Sequence, residues 1–176
     1  AVCELGHRLG VRYTFRQDFF PPQRPFQLPR LNIIEEPELK TRTWRTINDF
    51  AIGPESWGLD EHKRFIRQLA KMKFNRILMS VYAWQPFVDY RFRGVQRQTA
   101  LHWFGEVLRV DGDTPGRVAF KGAKIFQNPD FVGLTTYKQK IAAGKKLITG
   151  VIDASHALGM TVGLSTSVLE FPKEFA

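Results

Sequence analysis

Polar and aromatic side chains gather at three places in this sequence, each directly after a short apolar segment. Carboxylates, amides and hydroxyl groups can hydrogen-bond a ligand, and aromatic rings can stack on an apolar ligand face. A sugar needs both contacts, because its hydroxyl groups lie around the ring plane and its C–H groups lie above and below that plane. The three sets are Asn48, Asp49, Glu55 and Trp57, then Trp84, Gln85, Asp89 and Tyr90, and finally Ser165, Ser167 and Glu170.

Six residues are the candidates for substrate binding, and each one also has a structural alternative. Trp57 and Trp84 could equally fill a core, and Asn48 or Asp49 could cap a turn. Arg45 lies within an expected strand, where its alternative partner is a buried carboxylate. The convergence of three loops, rather than any single residue, indicates a binding site. The candidates are Arg45, Asn48, Asp49, Trp57, Trp84 and Gln85.

Five regular segments are expected to position these side chains. Strands are predicted at Thr43 to Phe50, Arg76 to Tyr82 and Met160 to Leu169, where apolar, β-branched or alternating residues predominate. The segment from Asp60 to Phe74 has one apolar face and one face of lysine and arginine, which predicts an amphipathic helix. A second helix is predicted from Tyr137 to Leu158, where two internal glycines lower the helix propensity.

The order strand, helix, strand, long loop, helix, strand predicts two consecutive βαβ units and hence a parallel sheet. No GxGxxG or GxxxxGK[ST] phosphate loop follows the first strand, which disfavours an open nucleotide-binding sheet. We therefore expect an α/β fold that is the first βαβαβ portion of a TIM-type (β/α) barrel. In such barrels the loops after the strands form the active-site face.

Two regions of the chain are distinguished by composition. Residues 1–40 are expected to hold the end of a small α/β domain, with a helix that Gly10 caps, and a connector in which five of the ten prolines fall between Asp18 and Pro37. Residues 41–176 are expected to form the partial barrel, with a long loop at about 83–136. Within that loop, Val107 to Val110 and Arg117 to Phe120 are predicted to form a hairpin around the turn DGDTPG.

The net charge of +9 raises the question of nucleic-acid binding. Lysine and arginine are spread along the chain among the acidic residues, and the densest basic stretch, Tyr90 to Arg97, is short. We therefore expect no nucleic-acid partner. No apolar run is long enough to span a membrane, and no cofactor motif is present. The single cysteine, Cys3, and four scattered histidines predict no metal site. The histidines are His7, His62, His102 and His156.

The order of segments resembles that of the glycoside hydrolase group containing β-N-acetylhexosaminidases, α-glucuronidases and α-N-acetylglucosaminidases. The sequence LGVRY, which ends at Tyr13, is similar to the end of the small α/β domain that precedes the barrel in this group. The first strand of α-glucuronidases carries an arginine and an Asn-His-Trp-Asp motif. Arg45, Asn48 and Asp49 are similar to these residues, but the His-Trp pair is missing here. LDEHKRFIRQLAKMKFNRI and HALGMTVGLSTSVLEFP are similar to the group's segments at the second and third strands.

This resemblance implies part of an O-glycosyl hydrolase that acts on a glycan or oligosaccharide, with an extracytoplasmic or secreted location. In that group the catalytic acid follows the fourth strand or a later one, whereas three strands are expected here. A complete barrel takes roughly 250 residues. The expectation is therefore a portion of a longer enzyme, inactive by itself, which supplies sugar-binding residues and is completed by the remainder of the barrel or by another chain.

Three alternatives stay open at this level. Glu55 and Glu170 offer an acid and base pair within the chain, because most glycosidases use two carboxylates across the scissile bond, but only their position after strands supports the pair. A non-catalytic carbohydrate-binding or assembly protein needs the aromatic platforms and no acid. A nucleic-acid binder would use Tyr90 to Arg97, with Phe92 stacking on bases.

Overall fold

The computed structural model describes residues 2–22, 27, 30–46, 54–101, 107–109, 124–166 and 170–175, and these residues form a mixed α/β fold. The α-helices of this part of the chain are α1 (Val2–Arg8), α2 (Leu59–Lys71) and α3 (Tyr137–His156). Its strands are β1 (Arg12–Tyr13), β2 (Asp18–Phe19), β3 (Thr43–Thr46), β4 (Arg76–Val81), β5 (Arg91–Phe92), β6 (Val95–Gln96), β7 (Val107–Arg109), β8 (Ile125–Gln127) and β9 (Thr161–Thr166).

Strands β3, β4 and β9 form a parallel sheet in that order, so the chain adds each new strand on the same side of the last. The register places Arg45 beside Leu78 and Leu78 beside Gly163. This sheet confirms the α/β class that the alternation of strands and helices predicts. Residues 47–50 and 167–169, which were expected to continue the first and third strands, lie outside the described residues.

Helices α2 and α3 pack on the same face of this sheet. Ile77 and Met79 of β4 share a buried cluster with Ile66 of α2 and Val151 of α3. Residues two apart on a strand point to the same face, so both helices cover that one face. The opposite face carries Arg45 and the other alternate residues of the three strands. The remaining members of the buried cluster are Leu69, Phe131, Leu147, Ile148 and Met160.

Both long helices begin at a capped residue. Asp130 accepts a hydrogen bond at 2.8 Å from the first N–H of α2, at Leu59. Thr136 and Gln139 exchange side-chain to main-chain hydrogen bonds at the start of α3, which is a capping box. The two predicted helices are thus confirmed, with α3 ending at His156. Among the described residues, no helix combines the length and apolar character that a membrane crossing requires.

The two glycines within α3 are explained by close packing. A Cβ at Gly144 would lie 2.2 Å from the carbonyl oxygen of Pro86, and a Cβ at Gly150 would lie 2.6 Å from a methyl carbon of Leu59. Glycine lowers helix propensity, but here it lets the helix approach the loop after β4 and the start of α2. The feature that weakened the sequence prediction therefore serves the packing of this helix.

Only the first strand of the hairpin predicted in the long loop lies within the described residues. Strand β7 (Val107–Arg109) pairs antiparallel with β8 (Ile125–Gln127). Residues 110–123, which include the expected partner Arg117 to Phe120, lie outside the described residues. The DGDTPG sequence is a local turn signal, whereas strand pairing depends on which side chains pack against the rest of the fold. In β8 Phe126 is partly buried, and β8 also contacts the turn before α2.

The N-terminal segment packs against α2 and β3. The ring of Phe15 lies 4.8 Å from that of Trp44 and 5.8 Å from that of Phe65, measured between centroids. Asp18 forms an ion pair with Lys71 of α2 at 2.5 Å. Gly10 has φ +95 at the end of α1, which agrees with the predicted cap. Residues 30–42 contain no helix or strand, as the proline-rich composition of the connector predicts.

Asn75 joins two segments at the amino end of the sheet, and its replacement with alanine is expected to lower the free energy of unfolding by about 2 kcal/mol. Its Oδ1 accepts from the N–H of Arg42 at 2.8 Å, and its Nδ2 donates to the carbonyl of Lys40 at 2.7 Å. Urea unfolding measures the loss. The control is N32A, because Asn32 is exposed. An equal loss in both variants would contradict the assigned role of Asn75.

Candidate functional site

The carboxyl ends of β3, β4 and β9 meet at one edge of the sheet, because the strands are parallel. The loop 82–101 follows β4, and the segment 170–175 follows β9. Ligands of parallel α/β folds bind at such an edge. Two predicted binding residues, Asn48 and Asp49, lie outside the described residues, and so does the side chain of Glu55.

Tyr82 and Trp84 stand at the start of the loop after β4. Their rings are stacked, with centroids 4.7 Å apart and planes at 4°. Both side chains are partly buried. The carbonyl of Trp84 accepts from the N–H of Leu101 at 3.2 Å, which closes the loop near its two ends. The structure therefore places one predicted platform residue at the carboxyl edge, within a closed loop.

Arg97 lies at the centre of this loop and is 0% exposed. Its Nη1 donates to the carbonyls of Ala83 at 2.7 Å and Gln85 at 2.8 Å, and its Nη2 donates to the carbonyl of Val88. A buried charge is tolerated when hydrogen bonds replace its hydration, and main-chain carbonyls do so here. Because Ala83 and Gln85 flank Trp84, Arg97 fixes the main chain on both sides of that indole.

Two tyrosines enclose the Arg97 guanidinium. Its central carbon lies 4.9 Å from the ring centroid of Tyr90 and 5.7 Å from that of Tyr137. Tyr137, the first residue of α3, donates its hydroxyl to Asp89 at 2.6 Å. This hydrogen bond lowers the pKa of Asp89, and burial together with the bond to Asp89 raises the pKa of Tyr137. The loop after β4 is thus attached to the beginning of α3.

Glu174 joins the segment after β9 to the loop after β4. Its carboxylate accepts from the N–H groups of Gln98 at 2.6 Å and Thr99 at 2.7 Å, and from the Thr99 hydroxyl at 2.7 Å. Burial raises the pKa of Glu174, but the hydrogen bonds from Thr99 and Gln98 together outweigh burial and lower the pKa to about 2. The neighbouring Phe175 ring lies 5.5 Å from Tyr90. The segments that follow β4 and β9 therefore form one surface.

Replacing Glu174 with alanine is expected to lower the free energy of unfolding by about 2 kcal/mol, because it removes charge-assisted hydrogen bonds to two main-chain N–H groups. The control is E170A, since Glu170 is exposed. The folded-state pKa of Glu174 is lowered, so its carboxylate stabilises the fold only while it is ionised. The difference in free energy of unfolding between E174A and E170A should therefore be largest at pH 7 and should shrink as the pH falls from 4.5 toward 2. A difference that grows on acidification would contradict this.

Trp57 lies in a packed aromatic cluster at the start of α2. Its ring makes edge contacts with Phe65 at 5.1 Å and His62 at 5.6 Å between centroids. Its carbonyl accepts from Asn128 at 2.7 Å. His62 is 6% exposed, and burial lowers its pKa to about 4 despite a hydrogen bond to the carbonyl of Pro54. This placement favours the structural alternative for Trp57.

Gln85 and Arg45 have contrasting positions. Gln85 is 1% exposed, and its Oε1 accepts from the N–H of Tyr82 at 2.9 Å, so its side chain supports the loop from inside. Arg45 is exposed on the sheet face that the helices do not cover, and no ion pair joins it to a carboxylate of the described residues. Arg45 thus has the accessibility that substrate binding requires, and Gln85 does not.

The predicted acid and base pair is only partly described. Glu170 is exposed after β9, and the side chain of Glu55 lies outside the described residues, so the separation of the two carboxylates is not defined. Within the described ranges, no three His, Cys, Asp or Glu side chains are grouped as metal ligands would be.

Sequence reasoning missed the residues that build this edge, namely Arg97, Tyr137 and Glu174. Arg97 belongs to the basic stretch Tyr90 to Arg97, in which Arg91 and Arg93 are exposed. No local pattern distinguishes the buried arginine from the other two. Its burial depends on a tyrosine 40 positions along the chain, at the start of α3.

Comparisons of this chain with protein families, curated proteins and solved structures find no match. A functional proposal therefore depends on the geometry of the strand ends and on the resemblance of the sequence segments.

Proposed function

We propose that this chain is part of a (β/α)-barrel glycoside hydrolase and that the carboxyl edge of its parallel sheet binds a glycan or oligosaccharide. The observation that carries the proposal is the stacked pair of Tyr82 and Trp84 at that edge, with its main chain fixed by Arg97. A platform that is already ordered loses little conformational freedom when a sugar stacks on it.

The arrangement of the sheet agrees with the barrel part of the proposal without selecting it. Strand order follows chain order, and Ile77 and Met79 face both α2 and α3 on one side. Two consecutive βαβ units with both helices on one face occur in a barrel and also in one half of an open doubly wound sheet, so the choice of the barrel comes from the resemblance of the sequence segments. In a barrel the face that carries Arg45 is the inner face, which puts Arg45 beneath the carboxyl edge.

The carboxylates of the described loops support a role in recognition rather than in proton transfer. A glycosidase acid needs a raised pKa so that it stays protonated near neutral pH. Asp89 and Glu174 both have lowered pKa values because of the hydrogen bonds they accept. Neither of these two is therefore suited to be the acid. We place the acid on a later strand of the barrel, as the resemblance implies, and assign sugar contacts to Trp84 and Arg45.

Replacing Trp84 with alanine is expected to weaken glycan binding about tenfold, because an aromatic stack contributes about 1 kcal/mol or slightly more. A glycan array with the native protein identifies a bound oligosaccharide, and calorimetry with that oligosaccharide measures the change. The matched control is W84F, which keeps a ring and should bind within about threefold of the wild type. Equal affinity for wild type and W84A would exclude Trp84 as the platform.

A non-catalytic carbohydrate-binding protein is the second candidate. The observation that favours it is that Asp89 and Glu174 are both held ionised, so neither is suited to act as the acid. The two candidates predict the same loss of binding in W84A and differ in turnover. Hydrolysis of the bound oligosaccharide by the native protein would favour the enzyme, and its intact recovery would favour the binding protein.

A further inference from the structure

The loop after β4 carries a hairpin whose tip exposes two apolar side chains. Strands β5 and β6 pair antiparallel, and Phe92 of β5 lies opposite Val95 of β6. Phe92 is 48% exposed and Val95 is 46% exposed. The two residues of the turn, Arg93 and Gly94, both have positive φ, at 49° and 83°, which is typical of a two-residue hairpin turn. The tip is therefore a defined apolar surface, and the platform at Trp84 does not include it.

Phe92 stands at the outer end of a row of three rings. Its ring lies 5.8 Å from that of Phe175, which in turn lies 5.5 Å from that of Tyr90, measured between centroids. Tyr90 donates its hydroxyl to the carbonyl of Ala83 at 3.0 Å, and Ala83 directly precedes Trp84. Tyr90, Phe175 and Phe92 are hereafter called the ring row. The ring row leads from the main chain beside Trp84 to the tip of the hairpin.

Hydrogen bonds on the other face of the hairpin fix the ring row. Arg91 and Phe92 are neighbours in β5, so their side chains point to opposite faces. Gln96 accepts from Arg91 at 2.8 Å and donates to Asp89 at 2.9 Å. The segment after β9 is held against the same loop by Glu174. Rings that are already ordered lose little conformational freedom when a ligand stacks on them.

The charges around the ring row are balanced. Hairpin residues 88–96 and the segment 170–175 together carry three carboxylates and three cations. A nucleic-acid strand needs an excess of cations along its path, and an anionic glycan is attracted by the same excess. Within these two segments no such excess exists, which favours a neutral ligand. The carboxylates are Asp89, Glu170 and Glu174, and the cations are Arg91, Arg93 and Lys173.

We infer that Phe92 is a second stacking platform, on which a distal unit of a neutral oligosaccharide packs while another unit stacks on Trp84. The inference rests on the proposed function, because it extends the sugar site at Trp84. Sugars offer apolar C–H faces to aromatic rings, and their hydroxyl groups can bond to the polar side chains beside the row. Only a ligand of several units reaches both platforms, since two other rings separate them. Affinity is therefore expected to rise with chain length.

Binding to a glycan array tests the second platform. The array carries neutral and carboxylated oligosaccharides of one to six units, and a short oligothymidine is the nucleic-acid probe. The native protein is expected to bind long neutral members more tightly than the corresponding single sugars. In F92A the affinity for the longest bound member should fall about tenfold, because one aromatic stack is lost. The affinity for the single sugar should stay within about twofold of the wild type. Calorimetry measures both.

Two variants control this measurement. F92W keeps an aromatic ring and should bind the longest member within about threefold of the wild type. F20A removes a phenylalanine that is 74% exposed on the N-terminal segment and should bind as the wild type does.

Four results overturn the inference. The first is an affinity of F92A for the longest member within about twofold of the wild type. The second is an equal loss for long members and single sugars, which indicates a damaged loop and not a lost platform. The third is a preference for carboxylated members, or no binding to any member. The fourth is binding of oligothymidine alone that F92A loses, which assigns the ring row to nucleic acid.

These binding readouts do not require hydrolysis. Length-dependent binding through Phe92 without hydrolysis would keep this inference and overturn the proposed hydrolase. Hydrolysis of a nitrophenyl glycoside of a single sugar, with unchanged binding of long members in F92A, would do the reverse.

Discussion

Replacing Arg97 with alanine is expected to lower the free energy of unfolding by about 4 kcal/mol, the largest effect of any single change considered in this protein. Arg97 is 0% exposed and its guanidinium binds three main-chain carbonyls, at Ala83, Gln85 and Val88. Alanine leaves a cavity and removes one donor from each of these carbonyls, of which Ala83 keeps the Tyr90 hydroxyl at 3.0 Å. Each buried carbonyl without a donor costs about 1 kcal/mol or more, and the cavity adds to that cost.

Two further variants test whether the loss of stability is specific to the Arg97 guanidinium. R97K keeps the charge but not the planar fork, so it should lose about half as much stability as R97A. R91A is the control from the same loop, where Arg91 is exposed, and should change by less than about 0.5 kcal/mol. Urea unfolding measures all three. Stabilities of R97A and R91A within about 1 kcal/mol of each other would show that Arg97 does not organise the loop.

The second large effect is a loss of stability on mild acidification that depends on His62. Burial lowers the folded-state pKa of His62 from 6.5 to about 4. Between these pH values the unfolded chain binds a proton at His62 more readily than the folded chain does. The free energy of unfolding therefore has its highest value above pH 6.5 and decreases as the pH falls toward 4. The difference in pKa corresponds to about 3 kcal/mol at pH 4. Unfolding by urea at a series of pH values measures this slope.

The variant H62Q removes the titrating group while keeping a polar side chain. Its absolute stability will change because His62 packs on Trp57, so the slope against pH is the relevant quantity. We expect a shallower slope than the wild type between pH 6.5 and 4. The control is H156Q, because His156 is exposed near the end of α3, and its slope should match the wild type. Equal slopes for all three proteins would refute the assignment to His62.

The main elements of the fold were predictable from the sequence because each has a strong local signal. The apolar stripe of α2 predicts its length, and the apolar run of β4 predicts a buried strand. The pairing of β7 with β8 was not predictable, because the turn signal DGDTPG is local and the partner strand is chosen by packing. The glycines of α3 gave a misleading signal, since Gly144 serves a contact with Pro86 that only the folded structure contains.

The position of the candidate site was predictable from the sequence, but the residues that hold its loops in place were not. The strand-end rule placed Trp84 at the carboxyl edge, and the structure has it there. The same rule named Gln85, whose side chain is 1% exposed and supports the loop from inside. Arg97 forms a hydrogen bond with Tyr137, which is 40 residues away along the chain. Glu174 forms one with Gln98, which is 76 residues away. Such long-range hydrogen bonds leave no periodic pattern in a single sequence.

The central claim is that the carboxyl edge of this sheet serves a glycoside hydrolase. The most direct test is the initial rate of nitrophenol release by the native protein from a panel of nitrophenyl glycosides that differ in sugar and anomeric configuration. We expect hydrolysis of at least one member, with kcat/KM about tenfold lower in W84A than in the wild type and clearly lower than in W84F. No hydrolysis of any member, or equal kcat/KM for W84A and W84F, would contradict it.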